Sequence, residues 1–189
     1  MARPREFDRD EVLARAVKVF ASHGFGGTST VVLLKGMKIS RQSMYDTFGD
    51  KRHLYLEALR RYSSDSTANV IGAMHSHDSA LQGVETALRS VVARPANEAC
   101  LGVSATMEFG RSDRDVAAIT DAAGATIMAA FERVVRTGQR EKEFSAHVDP
   151  RAAAMFLASV LAGLKVTARS GATRETLRNV VDMALQSLL

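Results

Sequence analysis

The sequence predicts an all-α protein: three helices forming an N-terminal helix-turn-helix unit, then a six-helix region. Three observations lead there. Apolar residues recur at three- and four-residue spacing along nearly the whole chain, and no segment alternates with period two long enough to make a strand. Only three prolines interrupt it, and aromatic residues make up 6% with no tryptophan. Capping residues stand ahead of the apolar runs, and glycines close several of them.

Asp8 caps the first helix, Glu11 holds the capping-box position, and Phe7 is placed to staple onto Val12. Leu13, Ala16, Val17 and Phe20 continue the apolar face until His23-Gly24 ends it. Thr28 or Ser29 caps a short second helix through Val31, Leu33, Leu34 and Met37. Ser40 caps a third that runs through Phe48, with Ile39 and Met44 spaced as a staple. Gly49-Asp50 opens a fourth, with Tyr55, Ala58, Leu59 and Tyr62 on its buried face and an end near Met74. Leu81, Val84, Leu88, Val91 and Val92 mark a fifth, stopped at Arg94-Pro95. A sixth covers about Glu98 to Phe109 and ends at Gly110. Val116, Ile119, Ala123, Ile127, Ala130, Phe131 and Val134 line a long seventh. Asp149-Pro150 starts an eighth that ends near Ser170-Gly171. Thr173 caps the ninth, striped by Leu177, Val180, Val181, Ala184 and Leu188.

At 189 residues, 46% apolar and 24% charged, the chain suits one domain, or a small one feeding a larger one. A single cysteine, Cys100, excludes a disulfide framework and a multi-cysteine zinc module. Residues 1–7 contain no apolar core of a secretory signal. The run from Ala152 to Leu164, broken by Ser159, is too short to span a bilayer. A soluble cytoplasmic protein with no membrane partner is expected. The charge is uneven: residues 1–63 carry 12 Lys/Arg against 7 Asp/Glu, whereas the rest carries 13 against 14. That excess suits a polyanion partner, although charge alone also fits a solvated surface.

Short helices and tight turns near a basic N-terminus suggest a helix-turn-helix, which holds one helix so that its first turn enters the DNA major groove. Leu33, Ile39, Met44 and Phe48 supply the apolar positions that join the second and third helices. The third then exposes Arg41, Gln42 and Ser43. Arginine chelates guanine, glutamine chelates adenine, and serine bonds base edges or phosphate. By spacing alone, the same three residues also suit an ordinary surface helix.

Residues 12–55 resemble the DNA-binding region of the tetracycline-repressor (TetR) family of bacterial transcriptional regulators. The matching text is Ala16…Phe20…His23-Gly24-Phe25…Thr28-Ser29, then Ile39 through Lys51 with its Tyr45-x-x-Phe48-x-x-Lys51 run, then Leu54. The resemblance implies a DNA-binding domain over 1–50 and a ligand-binding and dimerisation domain over 51–189. It assigns Arg41, Gln42 and Ser43 to bases, and Tyr45, Thr28 or Ser29, and Lys51 to the DNA backbone. The implied partner is a near-palindromic double-stranded operator, bound by a homodimer that responds to a small-molecule effector. Three positions depart from the pattern: Lys38 replaces the usual turn glycine, Leu34 a small residue, and Val32 a common polar one. Lys38 is expected at positive φ, with its side chain projecting toward the DNA backbone. Arg3 and Arg5 add either a basic arm or a solvated tail.

Ala154, Ala158 and Ala162 recur every four residues with Gly163 beside them, and Leu177, Val181, Ala184 and Leu188 offer apolar area. The resemblance implies that the last two helices of two chains form a four-helix bundle; the alternative is that both stripes bury within one chain. Met74, Met107, Met128, Phe109 and Phe131 could surround an apolar ligand, oriented by Asn97, Thr106 or Glu108, but methionine is equally a core filler. Cys100 could sense electrophiles or simply pack away, since Glu98 disfavours a thiolate and no cation adjoins it. His75 and His77 lack a third metal ligand. Without a phosphate loop, nucleophile elbow or metal cluster, no enzyme, cofactor or metal is expected. The competing class is a helical small-molecule-binding or redox-sensing protein with a degenerate helix-turn-helix.

Overall fold

The computed structural model describes residues 7–93 and 100–189. The expected stop at Arg94-Pro95, the helix start at Glu98, Asn97 and the Arg3/Arg5 arm lie outside the described residues. Nine helices run through the described residues, with no strand among them: α1 (Arg9–His23), α2 (Thr30–Met37), α3 (Arg41–Phe48), α4 (Lys51–Met74), α5 (Ala80–Ala93), α6 (Leu101–Phe109), α7 (Arg114–Arg140), α8 (Pro150–Arg169) and α9 (Arg174–Gln186).

Most starts are fixed by the residues expected. Asp8 Oδ1 accepts from the N–H groups of Asp10 and Glu11, and Asp149 caps α8 ahead of Pro150 at 2.7 Å from Ala152 N. Thr173 caps α9 by accepting from Thr176 N at 3.1 Å. At α2 it is Ser29, not Thr28, that caps. Glu11 does not close a capping box; its carboxylate takes the Arg15 guanidinium one turn on. α7 has a cap that periodicity does not reveal: Asp113 Oδ1 accepts from Asp115 N and Val116 N.

The chain forms two compact units, and these are not the 1–50 and 51–189 segments. The first holds residues 7–63 and 100–120, the second residues 64–93 and 121–189. The reason is the first half of α4. Leu54, Tyr55, Leu56, Ala58 and Leu59 share one buried core with Val12, Ala16 and Phe20 of α1, Leu33 and Met37 of α2, and Met44 and Phe48 of α3. Leu101, Ala105 and Val116 close the same core. Leu34, the large residue where a small one is usual, packs half-buried against it.

In the second unit α5, α8 and α9 pack together, with Val84, Leu88, Phe131, Leu157, Leu161, Leu164 and Val181 among its buried residues. α8 reaches 20 residues and is apolar enough in composition for a bilayer, beyond the shorter run read from sequence. Its Ala153, Ala154, Leu157, Leu161 and Leu164 are buried in this protein core instead. The same packing corrects the expected dimer stripe. Ala154, Leu177, Val181, Ala184 and Leu188 are at most 3% exposed within the single chain. Both helices face α5 and each other, so their strongest apolar stripes are consumed internally. Only Ala158, half-buried, and Ala162, exposed, remain toward the surface.

The surface offers a different apolar face. Met155, Phe156 and Val166 on α8, with Val180 and Met183 on α9, are 39–66% exposed. A groove of about 570 Å³ runs between these helices, lined by Phe156, Val160, Val180 and Met183.

Candidate nucleic-acid interface

The turn from α2 into α3 sets how the third helix is presented. Lys38 ends α2 at φ 59°, ψ 42°, in the left-handed region, with its N–H donating to Leu34 O at 2.9 Å. The positive φ expected for this non-glycine residue is therefore present. Ser40 then caps α3, its Oγ accepting from Ser43 N at 3.1 Å. Fully buried Met44 and nearly buried Phe48 anchor the inner face, and the Arg9 guanidinium lies 4.9 Å over the Phe48 ring while pairing with Glu57.

That anchorage leaves the first turn of α3 outward. Arg41 and Gln42 are exposed, and Arg41 makes no ion pair among the described residues. Gln42 is engaged: its Nε2 donates to Asp46 Oδ1 at 2.7 Å. Ser43 is half-buried with its Oγ 2.9 Å from Ser40 Oγ, so it reaches less far than the other two. Tyr45, one turn on, is 44% exposed. Val31 and Val32 also face solvent at the start of α2, at 69% and 38%.

Of the expected backbone ligands, Ser29 is exposed and accepts from Val32 N, leaving its O–H to donate outward beside the free amides of the α2 N-terminus. Thr28 is not on the surface. It is fully buried, and its Oγ1 donates to Gly24 O at 2.5 Å, because the tight turn after α1 leaves that carbonyl without a helical partner. Lys51 is half-buried: one N–H of Nζ donates to Phe25 O at 2.6 Å, and Nζ lies 4.2 Å over the Phe25 ring. Both residues fix the turn that leads into α2.

Glu108 completes that turn, a role spacing does not suggest. Its carboxylate accepts from Phe25 N at 2.9 Å and Gly26 N at 2.6 Å. A negative charge in the last turn of α6 opposes the helix dipole, and the two amides offset this. Gly24, at φ 71°, is required twice: for its backbone and because a Cβ would come 2.8 Å from Glu108 Oε2. Arg52 ties the start of α4 to Asp113 and Asp115, each at 2.6 Å. Its guanidinium holds the Asp113 carboxyl below the usual carboxylate range.

The residues expected to line a ligand cavity fall in both units. Met74 and Phe131 are buried in the core of the second unit, and Met128 there is 39% exposed. In the first unit Met107 is 76% exposed and Thr106 and Glu108 are exposed, because the last turn of α6 faces solvent and the α1–α2 turn. Phe109 packs 5.7 Å from the rings of Phe25 and Tyr55. Cys100 is buried at the N-cap of α6 without a side-chain cap bond. His75 and His77 are exposed between α4 and α5.

Replacing Lys38 with glycine is expected to raise the melting temperature, by relief of roughly 1 kcal/mol of left-handed strain. If the Lys38 side chain meets a phosphate, DNA affinity should also fall slightly and its salt dependence flatten. Thermal melts and salt titrations of the two proteins check both signs.

Residues 12–58 match the family described as bacterial regulatory proteins, tetR family, and residues 80–185 match the tetracyclin repressor-like C-terminal domain. A solved structure of the TetR family regulator CifR, a cysteine mutant complexed with 26-base-pair double-strand operator DNA, is similar over 100% of both chains, with 33% identity and a TM-score of 0.86. The uncharacterized HTH-type transcriptional regulator YezE of Bacillus subtilis (strain 168) is 29% identical over 100% of both chains. The HTH-type transcriptional repressor ComR of Escherichia coli (strain K12) is 26% identical over 97% of this chain and 90% of its own.

Proposed function

The chain belongs to the TetR family of DNA-binding transcriptional regulators, and from that premise we propose how it works: as a homodimeric repressor that reads a near-palindromic operator and releases it on binding a small apolar effector. The observation that carries this reading is the first turn of α3. It is capped by Ser40, anchored by Met44 and Phe48, and leaves Arg41 uncommitted at the surface. Arg41 and Gln42 read base edges, with Ser43 nearer the rim. Ser29, the α2 amides, Tyr45 and Lys38 hold phosphates, which set the register without carrying sequence information. The reading assigns no catalytic step, cofactor or metal, and a cytoplasmic location.

Two copies join through the exposed α8–α9 face. An apolar surface of this kind on a soluble chain marks an interaction site, and two-fold pairing of that face gives two reading heads. The effector acts by preferring the shape that does not bind DNA, and the operator must weaken effector binding by the same factor. α6 suits transmission of that preference: Glu108 grips the Phe25 and Gly26 amides, so a shift of its last turn moves the entry to α2.

Footprinting across the DNA upstream of the protein's own coding sequence tests the reading. A protected, near-palindromic stretch is expected, with half-sites about one helical turn apart or slightly further. Uniform, unpatterned protection contradicts it.

A further inference from the structure

We propose that Asp46 is a specificity-determining residue, holding the Gln42 amide in the orientation that reads adenine. The inference rests on the reading of α3 as the recognition helix. Gln42 and Asp46 stand four residues apart on one exposed face, and Gln42 Nε2 lies 2.7 Å from Asp46 Oδ1. An ionised carboxylate only accepts hydrogen bonds, so the atom facing it must be the amide nitrogen and not the oxygen. This settles which way the amide points. One of its two N–H bonds is spent on Asp46, and the other remains with Oε1 for the DNA.

A donor and an acceptor side by side match adenine, which offers N7 as acceptor and N6 as donor in the major groove. Guanine offers two acceptors, N7 and O6, which leave Oε1 facing an acceptor. Without Asp46 the amide is free to rotate and present either edge. The charge of Asp46 repels the phosphates, and its Oδ1, which could otherwise accept from a cytosine amino group, is taken by the Gln42 amide. Its position is explained by the amide it holds, and the same charge weakens binding to unrelated sequences.

The test is site selection from operators randomised within the half-site, run in parallel on wild type, Gln42→Ala, Asp46→Ala and Asp46→Asn, with Arg41→Ala marking a second position. Wild type is expected to prefer adenine at one position by about tenfold, within the range of one bidentate contact. Gln42→Ala erases that preference, and Asp46→Ala reduces it at least threefold while the position read by Arg41 is unchanged. Asp46→Asn keeps an acceptor oxygen for Gln42, so it retains adenine while binding all sequences more tightly. A helix-stabilising pair alone would weaken every position together, and that outcome overturns the proposal. Unchanged adenine preference in Asp46→Ala, or selection by wild type that is indifferent at the Gln42 position, overturns it too. Wild type that selects no sequence at any position overturns the recognition-helix reading instead.

Discussion

Met183→Glu is expected to give a folded monomer that loses nearly all operator binding. Met183 is 66% exposed on α9, so the charge enters no internal packing of the single chain. Its place beside Phe156 and Val180 in the α8–α9 groove puts that charge in the middle of the proposed dimer face, opposite apolar area that cannot pair it. Helical circular dichroism should be unchanged while light scattering at micromolar concentration reports half the wild-type mass. Losing the second reading head removes the gain from bivalent attachment, typically 10²–10⁴-fold in affinity. Leu157→Glu is the contrasting substitution. Leu157 is fully buried within the chain, so that variant should unfold and not simply dissociate.

Arg41→Ala should lose roughly 1–3 kcal/mol of discrimination at one base position if the guanidinium chelates guanine. Affinity for unrelated DNA should change far less, because phosphate contacts supply nearly all of it. The contrast with Lys38→Gly is the informative part: one variant relaxes sequence preference, and the other flattens salt dependence. Arg41 is suited to this role because nothing in the described protein competes for its guanidinium. Competition titrations with operators substituted at each position of the half-site measure the loss directly.

Much of the fold was legible in the sequence because helix starts are local chemistry. Asp8, Ser40, Asp149 and Thr173 each cap the helix expected of them, since a cap needs only the next two or three amides. The positive φ of Lys38 was legible through the family resemblance, which implies a glycine at that turn position. The inward Met44 and Phe48 and the outward Arg41 and Gln42 of α3 follow their spacing, but what covers a helix face elsewhere is not set by spacing. Ala154, Leu177 and Val181 formed a good stripe, but periodicity shows that a face is buried without showing whether the chain's own α5 or a second copy covers it. Thr28 and Lys51 looked like phosphate ligands by their positions in the motif. Thr28 Oγ1 is spent on Gly24 O, whereas Lys51 Nζ gives one of its three N–H bonds to Phe25 O, a second carbonyl that the tight turn leaves open. Glu108 was read as a pocket residue, yet it closes on amides more than 80 residues earlier in the chain. Such long-range pairing leaves no trace in local spacing; a lone acidic residue in the last turn of a helix, against the dipole, was the one available signal.

Whether this chain distinguishes DNA sequences through α3 is measured by a binding titration at one fixed salt concentration. Wild-type protein is titrated against the footprinted site and against a scrambled duplex of the same length and composition. Binding to the site is expected to be tighter by about 10³-fold or more, the lower end for specific regulators, with two chains per site. Equal affinity for both duplexes would contradict it, and would reduce the exposed turn of Arg41 and Gln42 to an ordinary helix surface.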